Sequence, residues 1–102
     1  MEGFDHRFHS RVKGVKTQLL LSIANCYWKM QNFREVVNYC TLSLDIERAN
    51  SKPLLKRGLA HAFMGLYEDA HQDLREAHQL DPDDLVIIEE LRKLESKVNG
   101  LY

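Results

Sequence analysis

The chain has 102 residues, 44% of them apolar, and a formal net charge of −1. That is one domain at most, with enough apolar residues for a core, which excludes a disordered tail and leaves an extended layered fold open. No run of about 18 apolar residues and no signal-peptide centre in MEGFDHRFHS exist, which excludes a membrane helix and predicts a soluble, cytoplasmic protein.

The first predicted element covers residues 1–16. Phe4, Phe8, Val12 and Val15 make a helical stripe, with Arg7, Arg11, Lys13 and Lys16 off it. A membrane-surface helix competes for this pattern, but two Phe and two Val make too small an apolar face.

From residue 17 the sequence repeats. TQLLLSIANCYWKMQNFREVVNYCTLSLDIERAN (17–50) lies over SKPLLKRGLAHAFMGLYEDAHQDLREAHQLDPDD (51–84) without a gap, at an offset of 34. Ala24 coincides with Gly58, Tyr27 with His61, Phe33 with Tyr67, Val36 with Ala70, Cys40 with Leu74, Ser43 with Ala77 and Arg48 with Pro82. A fixed period in this range is the mark of stacked helical repeats.

Each unit reads as two helices. Leu20, Ile23, Tyr27 and Met30 fall at helical spacing, then Phe33, Val36, Val37, Cys40 and Leu44. In the second unit Leu54, Gly58 and Ala62 mark the first helix, and Tyr67, Ala70, Leu74 and Ala77 the second. Gln31-Asn32 and Gly65 supply the turns, because Asn and Gly tolerate the left-handed backbone that ends helices. Pro53 belongs to a first turn, where its missing N–H costs little. Asp81-Pro82 closes the second unit, and Asp83 or Asp84 caps a last helix carrying Ile87, Leu91, Leu94 and Val98 and stopping at Gly100. The expectation is an array of about six helices: a leading helix of an incomplete repeat (1–16), repeats at 17–50 and 51–84, and a capping helix at 85–99.

This pattern resembles the tetratricopeptide repeat, an all-α right-handed superhelix of antiparallel helix pairs. LLLSIANCYWKMQNFREVV and KPLLKRGLAHA resemble the repeat domain of FK506-binding-type immunophilin co-chaperones. The ending LDPDDLVIIEELRKLESKV looks closest to the aryl-hydrocarbon-receptor-interacting protein branch. The resemblance implies a groove that takes the acidic tail of cytosolic heat-shock chaperones, ending Glu-Glu-Val-Asp, in a carboxylate clamp. The clamp's two basic positions fall on Lys52 and Lys56, and a further lysine on Lys29. Its asparagine position falls on Ser22, a departure that Asn25, three residues on, is placed to offset. The family's other clamp pair belongs to a repeat for which this chain has no counterpart.

The residues support the same groove without the family. First helices of consecutive repeats lie side by side on the concave face. Gln18, Ser22, Asn25 and Lys29 on one match Lys52, Lys56, Leu59 and Phe63 on the next. Lysines and amides beside Leu59, Trp28 and Phe63 suit a peptide with carboxylates and an apolar side chain. The bland alternatives are a solvated lysine face, and packing alone for Trp28.

Charge agrees with an acidic partner: residues 1–57 carry ten Lys/Arg against five Asp/Glu, and residues 58–102 four against ten. No zinc-finger spacing or aromatic-interleaved basic strand points to nucleic acid. Cys26 and Cys40 read as reduced core residues. His6, His9, His71 and His78 form no converging ligand cluster, so no metal or other cofactor is expected, and His61 reads as a packed, hydrogen-bonded imidazole. No nucleophile has a base at a recognisable spacing and no Gly-rich loop follows a strand, so no enzyme is expected. Further expected partners are a client protein on the C-terminal helix and a second copy through the N-terminal helix; a membrane is not one. The alternative to chaperone-tail binding is an incomplete, self-associating scaffold.

Overall fold

A computed structural model describes the backbone of residues 2–99 and the side chains of residues 11–99. These residues form five α-helices and no strand: α1 (Glu2–Lys29), α2 (Phe33–Ile46), α3 (Ser51–Phe63), α4 (Tyr67–Leu80) and α5 (Leu85–Asn99). Each helix packs on the next in order, and α3 also touches α5. The odd-numbered helices therefore share one face, with α2 and α4 behind them. None of the described helices is long and apolar enough to cross a membrane.

The helix ends follow from local chemistry. The Glu35 N–H donates to Asn32 Oδ1 at 3.3 Å, and the Lys52 N–H to Asn50 Oδ1 at 3.2 Å. Asp84 Oδ1 accepts from the N–H groups of Val86 and Ile87 at 2.8 and 3.3 Å, so Asp84 opens α5. Between α3 and α4, Gly65 takes φ 78°. Between α1 and α2 the left-handed residue is Gln31, at φ 59°, and not Asn32. Asn32 is needed as the cap of α2, so its neighbour bears the strained backbone.

Small residues bring the helices close. Ala24, Val36, Cys40 and Ala60 form one buried cluster under α1, α2 and α3. Leu44, Leu54, Ala77 and Ile87 form a second, and Ala70, Leu74 and Leu94 a third beneath α5. Gly58 is the tightest point: a Cβ there would lie 3.0 Å from Leu74 Cγ and 3.3 Å from the Ala70 carbonyl oxygen. The stripes expected on α2, α4 and α5 carry these buried residues.

Three expectations fail. The leading helix and the first helix of the 17–50 unit are one continuous helix, so the array has five described helices, not six. Nothing at the junction can stop it: Gly14 keeps helical backbone, and no proline follows. Thr17 Oγ1 lies 3.0 Å from the Gly14 carbonyl oxygen and 3.2 Å from Glu47 Oε2, so its hydroxyl has an acceptor without leaving the helix. A straight helix of this length, about 42 Å, carries its first turns past the repeat instead of folding them over it. The side chains of Phe4, Phe8, His6 and His9 lie outside the described residues, as does Gly100.

The second failure concerns the stripe on α1. Ile23 and Met30 are exposed, Met30 by 69%, because α1 turns Thr17, Ala24 and Tyr27 inward and meets no helix on its other side among the described residues. Val15 and Leu19 continue this open face, at 57% and 59% exposure. The third concerns the thiols: both are free, but only Cys40 is buried, whereas Cys26 is exposed.

Two measurements follow from this packing. Alanine at Gly14, where an added Cβ meets nothing within 4 Å, should stabilise the helix by up to about 1 kcal/mol. The same change at Gly58 should destabilise by about 1 kcal/mol, because crowding outweighs the helix propensity gained. Chemical denaturation of the two variants should give opposite signs, and a stabilised Gly58→Ala would show that Leu74 moves freely. Burial also pushes the Cys40 thiol up to about 12, against the weaker opposing pull of Arg57 and Lys56. Folding therefore favours the neutral thiol, a contribution complete below about pH 8.5 and lost as pH rises toward 12. A disulfide reagent at pH 8 should modify Cys26 quickly and Cys40 only on unfolding; two fast thiols would contradict the packing.

Candidate functional site

The face shared by α1 and α3 is built on an internal clasp. Arg57 donates to Asp73 through Nε at 2.9 Å and Nη2 at 2.7 Å, and through Nη1 to Thr41 Oγ1 at 3.1 Å. His61 Nδ1 lies 3.0 Å from the same carboxylate, giving His61 the hydrogen-bonded place expected of it. The bidentate bond that Arg57 donates to Asp73 raises the Arg57 pKa above its ordinary value, although burial pulls the other way. Four side chains from α2, α3 and α4 thus fix the roll of α3 about its own axis. Lys52, Lys56 and Leu59, at helical spacing on α3, then line the opposite side.

There α1 and α3 enclose a cleft of about 230 Å³ lined by Leu21, Asn25, Lys52, Leu55, Lys56 and Leu59. Its floor is leucine and its lip is one amide and two ammonium groups. Among the described residues no carboxylate lies within ion-pair distance of Lys52 or Lys56. The cleft therefore has positive charge without an internal counter-charge.

Four of the eight expected site residues meet in this cleft: Asn25, Lys52, Lys56 and Leu59. Ser22 is exposed on α1 and does not line it. Leu21 and Asn25 are four apart and face α3, so Ser22, a further 100° around the helix from Leu21, turns aside. Lys29 is exposed at the end of α1, also outside the lining. Trp28 and Phe63 join the site differently. Lys56 Nζ lies 4.7 Å from the Trp28 ring centroid, a cation–π contact. Trp28 meets Phe63 and Phe33 edge-on at 5.4 and 5.1 Å, and Phe33 stacks on Phe63 at 4.8 Å. This platform ends the cleft and leaves Phe63 67% exposed.

Sequence reasoning missed Leu21, Leu55 and Phe33. By periodicity Phe33 belongs to the packed stripe of α2, and its five-residue separation from Trp28 across the turn is the available signal. The described residues contain no group of three His, Cys, Asp or Glu that converges as a metal site would.

No family model matches the chain. It is 34% identical over 96 residues, 94% of its length, to peptidyl-prolyl cis-trans isomerase FKBP42 of Arabidopsis thaliana. It spans only 26% of that protein, so the isomerase name describes a molecule about four times longer. Among solved structures, the myosin chaperone UNC-45 of C. elegans, in complex with an Hsp90 peptide, superposes with a TM-score of 0.80 at 31% identity, over 88% of this chain and 10% of that one. The second TPR domain of human RPAP3, in complex with the HSP70 peptide SGPTIEEVD, gives 0.75 at 29% identity, over 80% and 68%. The fold is therefore the tetratricopeptide-repeat fold.

Proposed function

We propose that this chain is the peptide-binding module of an immunophilin-like co-chaperone, and that it takes the acidic C-terminal tail of a cytosolic heat-shock chaperone in the cleft between α1 and α3. The observation that carries the reading is the unpaired Lys52–Lys56 couple over a leucine floor, with Asn25 opposite. An extended acidic peptide supplies what that cleft lacks. Its terminal carboxylate and acidic side chains meet the two ammonium groups, and an apolar side chain covers Leu55 and Leu59. Structures similar to this one hold peptides from Hsp90 and HSP70, which supports the same class of ligand here. The Glu90–Glu95 segment of α5, Glu-Leu-Arg-Lys-Leu-Glu, supports the aryl-hydrocarbon-receptor-interacting protein branch, and a client protein on α5 accords with that assignment. Binding of this kind is non-covalent and needs no cofactor.

Calorimetric titration with a pentapeptide ending Glu-Glu-Val-Asp tests the reading. Charge-assisted contacts contribute about 1.5–3 kcal/mol each, so Lys52→Ala with Lys56→Ala should weaken binding more than about tenfold. Added salt should weaken it too, since the cleft is open to water. Asn25→Ala should cost affinity and Ser22→Asn should not restore it. An unchanged Kd in the double variant would refute the role of the lysines.

A second reading, self-association, is favoured by the open face of α1. Val15, Leu19, Ile23 and Met30 form an exposed apolar stripe on the side of α1 away from the cleft. A second copy laid against it would bury that stripe, and each covered aliphatic side chain contributes about 1.5–3 kcal/mol at most. Light scattering should then show association that Leu19→Ser with Ile23→Ser abolishes. A chain that stays monomeric at high concentration would end this reading without touching the first.

A further inference from the structure

The two ends of the array are open and carry opposite charge. At one end α1 leaves Val15, Leu19, Ile23 and Met30 exposed. The exposed Cys26 shares their stripe, three residues after Ile23 and four before Met30. Residues 11–30 contain four basic side chains, Arg11, Lys13, Lys16 and Lys29, and no acidic one. None of the four is in an ion pair among the described residues.

At the other end α5 turns Ile87 and Leu94 into the core. No described helix covers its far side. Leu85 is 78% exposed there, Ile88 one turn on is exposed too, and Leu80 and Val86 adjoin them. Residues 80–91 contain five acidic side chains and no basic one. Arg92 and Lys93 pair with Glu89 and Glu90, and Asp84 caps α5. Asp81 and Asp83 are left without a counter-charge among the described residues.

We propose that self-association joins unlike ends, so that the α1 face of one copy covers the start of α5 on the next. The inference rests on the second reading above and gives it a direction. A two-fold pair through α1 would set two basic faces together with no carboxylate between them. A two-fold pair through α5 would do the same with aspartates. Only the mixed pairing lays apolar on apolar and leaves each charge beside its opposite. Its centre is Leu19 and Ile23 against Leu85 and Ile88, with Lys13 and Lys16 beside Asp81 and Asp83. In both segments the charges come first and the apolar pair follows, so they match when laid parallel. Each copy keeps one unused face at either end of a growing row, so the contact is heterologous and the assembly extends end to end. The α1–α3 cleft lies on the other side of α1 and stays open throughout.

Complementary variants of the intact chain test this by sedimentation velocity. Leu19→Ser with Ile23→Ser removes one face, and Leu85→Ser with Ile88→Ser the other. Each variant alone should be monomeric at concentrations where the wild type forms species of several sizes. Mixed in equal amounts they should form a complex of twice the monomer mass and none larger, because one intact face of each remains. Half of the Cys26 thiols, those on the intact α1 face, should then react several-fold more slowly with a disulfide reagent. Added salt should weaken the association. If a serine variant loses its helices by circular dichroism, Lys16→Glu and Asp83→Lys replace the pairs; each should weaken association alone and restore it when mixed. An α5 variant that associates as the wild type does, or a mixture that stays monomeric, would overturn the joining of unlike ends while self-association stands. A monomeric wild type would overturn both.

Discussion

The structure depends on one buried charge and its partner. Asp73 is 4% exposed, and an isolated carboxylate at that depth would be strongly destabilising. Arg57 answers it with a two-point bond, and Thr41 and His61 take the remaining donor and acceptor positions. A bond between two helices could be met by many relative rotations. A planar fork matched to a carboxylate, with a third helix tied through Thr41, admits few. The face that α3 offers to α1 and α5 is a consequence of that restriction. Lys52 and Lys56 point outward because Arg57, the next residue, is held inward.

Small residues set the second constraint, distance. Gly58 beneath Leu74 and Ala60 beside Ala24 let α3 approach both its neighbours. The approach brings Leu55 and Leu59 under the lip of the α1–α3 cleft, so the floor of the groove is also the outer edge of the core. Core packing and the shape of the cleft share the same side chains there, so neither can be altered without the other.

Much of this was legible in the sequence. The 34-residue offset exposes Ala24 and Gly58 as equivalent, and the turn chemistry at Asn32, Gly65 and Asp84 marks the helix ends. What was not legible lacks a local signal. The continuity of α1 is invisible because helix propagation needs no special residue, only the absence of a stop. Arg57 and Asp73 are sixteen residues apart on separate helices, and singly each reads as a solvated charge. Of the cleft, Lys52, Lys56, Asn25 and Leu59 could be read from helical spacing. Leu21 and Leu55 could not, because an apolar residue at a groove floor and one in a core have the same periodicity. Which of Ser22 and Asn25 faces the lysines depends on the rotation of α1, and that is fixed by Thr17, whose carbonyl oxygen accepts from the buried Ser43 Oγ at 3.3 Å.

The aromatic platform has an optical consequence. The chain contains one tryptophan, and it is Trp28, whose ring faces the Lys56 ammonium and the edges of Phe33 and Phe63. Indole emission responds to nearby charge and to the polarity of its surroundings. Every photon excited selectively at the red edge of the absorption band therefore originates beside Lys56, next to the α1–α3 cleft. A peptide that draws Lys56 away from the ring, or covers Phe63, alters the colour and brightness of the whole protein. The molecule carries its own reporter of groove occupancy, and no label has to be introduced.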